Sequence, residues 1–118
     1  MKILAITAVI HVSNMQSAVQ YYQDVLGFKP GFEFGDYTGL VYSEICIHIS
    51  GPTNPGMKKI PGNAHFCIDC DEVDSYYDLI SKNGAIISVP IADRPYGMRD
   101  FAVNDMDGNT LVFGKAIV

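Results

Sequence analysis

Basic residues are scarce in this chain. Eight lysines and arginines stand against 13 aspartates and glutamates, a formal net charge of −5. No basic patch is available to neutralise phosphates, which argues against a nucleic-acid partner. The acidity itself reads first as solubility. Long apolar runs are missing too. None approaches the roughly 20 residues needed to cross a bilayer as a helix, so no membrane role is expected. Cysteine is sparse and odd in number: Cys46, Cys67 and Cys70. Met1 and Lys2 lead straight into a strand-like run, with no secretory signal ahead of it. Free thiols in a reducing cytoplasm are therefore expected. Cys67 and Cys70 have the spacing of a redox pair. Residues three apart on a strand point to opposite faces, so their sulfurs should diverge.

What is present is the composition of a globular domain. Hydrophobic residues make up 48% and charged residues 18% of 118 positions, enough to bury a real core within a single domain. Residues 2–12 are rich in Ile and Val and read as a strand. Ser13-Asn14 offers a helix cap, and Met15, Ala18, Val19, Tyr22, Val25 and Leu26 share one helical face up to Gly27. Residues 28–34 read as a strand interrupted by Pro30-Gly31, hence an edge or bulged strand. Two further strands are expected over 37–43 and 44–50. Residues 51–62 hold Pro and Gly without periodicity and read as a linker. The order then repeats: strand 63–70, a helix capped by Asp71 and running to Asn83 before Gly84, and strands over 85–92, 98–103 and 109–117. Asn14 to Gly27 and Asp71 to Gly84 have the same spacing, 13 positions from cap to stop. The expected fold is thus α+β: two βαβββ modules, 1–51 and 63–118, joined by a linker at 52–62. Neither half alone would bury much surface. Facing each other, they would form a curved mixed sheet around a cleft lined by the polar strand faces, with a helix against the outer side of each half.

The segments VSNMQSAVQYYQDVLGF (12–28), HFCIDCDEVD (65–74), PYGMRDF (95–101) and DMDGN (105–109) carry a resemblance over essentially the whole chain. Together, and in this order, they resemble the vicinal oxygen chelate superfamily: glyoxalases, bleomycin-resistance proteins and extradiol dioxygenases. The resemblance implies a divalent metal held by His, Glu or Gln at four inward strand positions. Those positions fall on Thr7, His48, His65 and Val112. Thr7 stands where a His is usual and Val112 where a Glu is expected. Val112 has no donor atom, Thr7 offers only a neutral hydroxyl, and two imidazoles hold a transition metal weakly.

The first expectation is accordingly a cytoplasmic, metal-free protein that sequesters a small planar or aromatic molecule, a drug or a metabolite. The expected binding residues are His11, Tyr37, Tyr42, His48, His65, Tyr96 and Arg99. The tyrosines combine a ring with a polar tip, and Arg99 either clamps an anion or forms an ion pair with nearby Asp100 or Asp105. Glu44, Asp69 and Asp93 would attract a cation instead. The resemblance also implies a homodimer in which each cleft takes one half of each chain. The alternative is a metal-dependent lyase, isomerase or transferase with a rearranged site of His48 and His65, with His11 as third donor.

Overall fold

The computed structural model describes residues 1–117; Val118, the last residue of the second expected module, lies outside the described residues. Two four-stranded sheets make up the fold. In the first, β1 (Ala8–His11), β2 (Lys29–Glu33), β3 (Tyr37–Tyr42) and β4 (Ile45–Ser50) run in the order β1-β4-β3-β2. In the second, β5 (His65–Asp69), β6 (Ile86–Asp93), β7 (Met98–Asn104) and β8 (Thr110–Ala116) run in the order β5-β8-β7-β6. β1 pairs parallel to β4 and β5 parallel to β8, while the other pairs are antiparallel. The α+β fold and its internal repeat are therefore as expected. The interrupted strand β2 is both an edge strand and bulged, with its register shifting between Pro30 and Phe32.

Three local differences have physical causes. The first strand is short. Ala8 already pairs with Ile47, and β4 begins only two residues earlier, so most of residues 1–7 has no backbone to pair with. That arm is exposed, including Ile3, Leu4 and Ile6. The first helix is α1 (Met15–Gln20), with Asn14 Oδ1 accepting from Ser17 N at 2.9 Å as the expected cap. It then widens into a π turn over Tyr21–Val25, which brings the neighbouring side chains of Tyr21 and Tyr22 into the interior. The second helix, α2 (Val73–Lys82), starts later than expected. Glu72, not Asp71, stands at its cap and makes no side-chain cap bond.

Each helix lies opposite the polar strand faces, as expected, but those faces belong to two separate sheets. The apolar sides of both sheets and both helices share one core, which holds Ile10, Ile47 and Ile49 of the first sheet and Phe101, Leu111 and Phe113 of the second. Each fully buried side chain of this size contributes about 1.5–3 kcal/mol. Each helix also reaches the other module. Tyr21 Oη donates to Asn104 O at 2.6 Å and accepts from Ile86 N at 3.0 Å, while Tyr76 Oη donates to Leu26 O at 2.6 Å.

The turn between β7 and β8 ties the modules together. Asp105 is buried and accepts from Asp107 N, Asn109 N, Asn109 Nδ2 and, across the module boundary, Tyr22 Oη. Burial, and secondarily the Asp105 charge, push the Tyr22 hydroxyl far above its ordinary range, so it stays a donor. Asn109 Nδ2 also donates to His11 O at 2.9 Å, and its Oδ1 accepts from Ala64 N at 3.0 Å. Ser13 donates from backbone and hydroxyl to Asp107.

Candidate binding faces

The side of each sheet turned away from the helices is open. On the first sheet, strand alternation puts Val9, His11, Tyr37, Cys46 and His48 on that side, opposite buried Ile47 and Ile49. Gly39 lies beside both His48 and Phe32 in the register. It has no side chain, and a Cβ there would fall inside the Phe32 ring. The glycine thus lets Phe32 lie across β3 and meet His48 edge to face at 5.1 Å. Tyr37 stacks beside Phe32 at 6.3 Å, and its hydroxyl is bonded to His48 Nδ1 at 2.9 Å. With Tyr37 donating, the neutral imidazole carries its proton on Nε2, free to donate to a ligand. Burial raises the Tyr37 hydroxyl above its ordinary range, which keeps it protonated.

Replacing Gly39 with alanine should displace the Phe32 ring at a cost of about 1–3 kcal/mol. The check is a thermal melt together with the proton spectrum of His48, which should lose the ring-current shift imposed by Phe32. An unchanged His48 spectrum would remove Gly39 from the site.

On the second sheet the open side carries His65, Cys67, Ala102 and Val112. Val112 sits between Cys67 and Ala102 in the register, and Ala102 pairs with Val89. Half-exposed Val89 makes this a small apolar face. Tyr96, in the turn before β7, reaches the same side, and its hydroxyl donates to Asp100 at 2.6 Å. Arg94 Nε donates to the other oxygen of Asp100 at 2.8 Å. Burial alone would raise the Asp100 carboxyl. The bonds from Tyr96 and Arg94 outweigh it and hold it below the usual carboxylate range.

The sequence-derived residues therefore divide. His11, Tyr37 and His48 share the open face of the first sheet, and His65 and Tyr96 belong to that of the second. Tyr42 does not join either. It lies on the helix side, ring against Phe28 at 5.4 Å and Tyr76 at 5.7 Å. Arg99 is not available as an anion clamp. It shares parity with Phe101 and donates to Asp74 of α2 at 2.8 Å and to Asp93 at 3.1 Å, so it is an ion pair with partners other than Asp100 and Asp105. Phe32 and Gly39 were missed. A glycine inside a run of strand formers was the available sign of a close approach.

The metal implied by the resemblance does not fit the donors of one chain. Thr7 belongs to the exposed arm rather than a strand. Val112 lacks a donor, and His48 and His65 stand on separate sheets. His48 Nδ1 is engaged by Tyr37. Among the described residues no three His, Cys, Asp or Glu side chains come together to hold an ion, so the displaced set of His11, His48 and His65 is not assembled within the chain either. Among the described residues, clefts of about 800, 560 and 400 Å³ open on the surface without His48 or His65 in their linings.

A model of the Glyoxalase/Bleomycin resistance protein/Dioxygenase superfamily matches residues 3–113. The chain belongs to that superfamily. It is 25% identical to the bleomycin resistance protein of Geobacillus stearothermophilus, over 90% of this chain and 92% of that one. The fold resembles the bleomycin-binding protein of bleomycin-producing Streptomyces verticillus, solved with copper(II)-bleomycin. Identity there is 24%, coverage 96% of each chain, and TM-score 0.79. It also resembles the lactoylglutathione lyase of Agrobacterium tumefaciens, at 18% identity, 95% and 92% coverage, and TM-score 0.78. One superfamily fold thus carries both a drug-binding protein and a lyase, and the residues of the faces must decide between those chemistries. No helix among the described residues is long and apolar enough to cross a membrane.

Proposed function

We propose that this superfamily member is a metal-free, small-molecule-binding protein of the cytoplasm that sequesters a planar aromatic drug or metabolite. The carrying observation is the Phe32–Tyr37–His48 cluster on the open face of the first sheet, set against the apolar Val112 face of the second. Aromatic walls with a few polar tips suit such a ligand. The same residues supply neither the chelating carboxylate nor the general base that a metal-dependent lyase needs. The bleomycin-related relatives support drug binding as one form of this role.

The binding site in this reading is shared by two copies. Each open face is half a cleft, and a homodimer closes it by apposing the first sheet of one copy and the second sheet of its partner. Covering both faces also removes the exposed Phe32 and Val89 surfaces from water.

The discriminating experiment measures metal content and ligand stabilisation on the same preparation. Protein purified without chelator is expected to carry no stoichiometric metal and to be thermally stabilised by planar aromatic compounds, with copper(II)-bleomycin as the first probe. Stoichiometric Zn, Ni, Mn or Fe that is lost in His48→Ala and His65→Ala would overturn this reading in favour of the metalloenzyme.

A further inference from the structure

The cleft of about 800 Å³ lies on neither open face. It opens on the helix side, between the tip of the β3–β4 hairpin and the turn that leads from β5 into α2. Its volume, about 800 Å³, is that of a site for a drug-sized molecule. Its wall is Tyr42 and Tyr76 beside the aliphatic Ile45, Ile68 and Leu79, with Phe28 and Phe113 buried behind them. Phe28, Tyr42, Tyr76 and Phe113 follow one another with ring centroids 5.4, 5.7 and 4.8 Å apart. Tyr76 is fixed by its hydroxyl bond to Leu26 O, and burial holds that hydroxyl protonated.

The rim is acidic. Glu44, Asp69, Asp71 and Glu72 all line the cleft, and no lysine or arginine does. None of these four carboxylates takes part in the ion pairs found among the described residues. The N-terminus of α2 opens beside Asp71 and Glu72, but its dipole amounts to only about half a positive charge, too little to cancel four carboxylates. The Cys70 thiol registers the resulting field. Burial first, and then the Asp71 and Asp69 charges, push it above its ordinary range against the opposing charge of Lys115, which lies outside the lining. The carboxylates are too dispersed to chelate a metal ion. Diffuse negative potential over ring faces suits instead a cation whose charge is spread over an apolar body.

We propose that this cleft is a second binding site, distinct from the open faces, and that it takes a small organic cation with an aromatic or bulky apolar body. The wall receives the apolar body, Tyr42 and Tyr76 offer ring faces to the charge, and the carboxylate rim attracts it and excludes anions. The site needs one chain only, so it does not depend on the paired-cleft reading.

The test is a calorimetric titration of the full chain with the non-planar cation (adamantan-1-yl)trimethylammonium, with adamantane-1-carboxylate as the anion of like size. One cation should bind per chain, at least about tenfold tighter than the anion, and more weakly as salt rises. The exposed-rim variant Glu44→Gln/Asp71→Asn/Glu72→Gln should lose about tenfold in affinity with an unchanged melting temperature, whereas His48→Ala should bind as the parent does. Tyr42→Leu, which keeps the wall apolar, should also weaken the cation and leave the anion unaffected. Equal affinity for cation and anion, or no effect of the rim variant, would overturn the proposal. So would loss of binding in His48→Ala, which would place the cation on the open face. Binding that appears only after removal of residues 1–7 would give the cleft to the arm of a second copy, and that too would overturn it.

Discussion

Replacing Asp105 with alanine is expected to remove about 3–5 kcal/mol of stability and to lower the melting temperature by about 10–20 °C. The size follows from what the carboxylate holds. It is 3% exposed and accepts four hydrogen bonds, two from backbone N–H groups of its own turn, one from Asn109 Nδ2 and one from Tyr22 Oη. Alanine would leave the Tyr22 hydroxyl without an acceptor in a fully buried position. Each stranded buried donor costs about 1–3 kcal/mol. The same loss loosens Asn109, whose other contacts reach His11 O and Ala64 N and so span both modules. Asp107→Ala is the control. It removes only the exposed bonds from Ser13 and should cost about 1 kcal/mol or less. A chemical-denaturation series that found the two variants equal would remove the turn from its joining role.

The second large effect is a gain. The double variant Thr7→His/Val112→Glu should bind Zn or Ni at least about 100-fold tighter than the parent chain, because it restores the two donors that the superfamily positions lack, provided that ligation draws residue 7, the last of the exposed arm before β1, onto the open face. The parent offers His48 and His65 alone. These stand on the open faces of different sheets, so the four donors can meet only where two copies pair. The variant should therefore take up metal as a dimer, with one ion per chain, and dilution to monomer should release it. Size-exclusion chromatography with metal analysis of each fraction reads both quantities. A variant that stays metal-free would show that residue 7 is not drawn in or that the two open faces do not come together. One that holds metal as a monomer would show that they do so within a single chain.

Much of the fold was legible because its signals are local. The Asn14 cap, the glycine stops at Gly27 and Gly84, and the alternation of Ile45, Ile47 and Ile49 against Cys46 and His48 each depend on nearest neighbours. The faces were partly legible for the same reason: His11, Tyr37 and His48 follow strand parity. Tyr42 was assigned against parity. It is five residues from Tyr37 on one strand, an odd separation, and so must point the opposite way. Arg99 was ambiguous because its main partner, Asp74, comes from a helix 25 positions away. The edge of the first strand was illegible for a similar reason. The apolar run at residues 3–6 looks like strand, but its pairing depends on where β4 begins. The helix-side cleft was hidden altogether, since Phe28, Tyr42, Tyr76 and Phe113 come together only through the packing of the two modules.

In the proposed function each binding site joins the first sheet of one copy to the second sheet of another. Mixing two binding-dead variants tests it most directly. Phe32→Arg disables the aromatic face and Val89→Arg the apolar one, both at exposed positions that the fold should tolerate. Each alone should fail to bind an aromatic compound that stabilises the parent chain. Refolded together in equal amounts, half the dimers are mixed, and each mixed dimer has one intact site, so about a quarter of the parent binding capacity should return. No recovery in a mixture shown to contain mixed dimers would contradict the account.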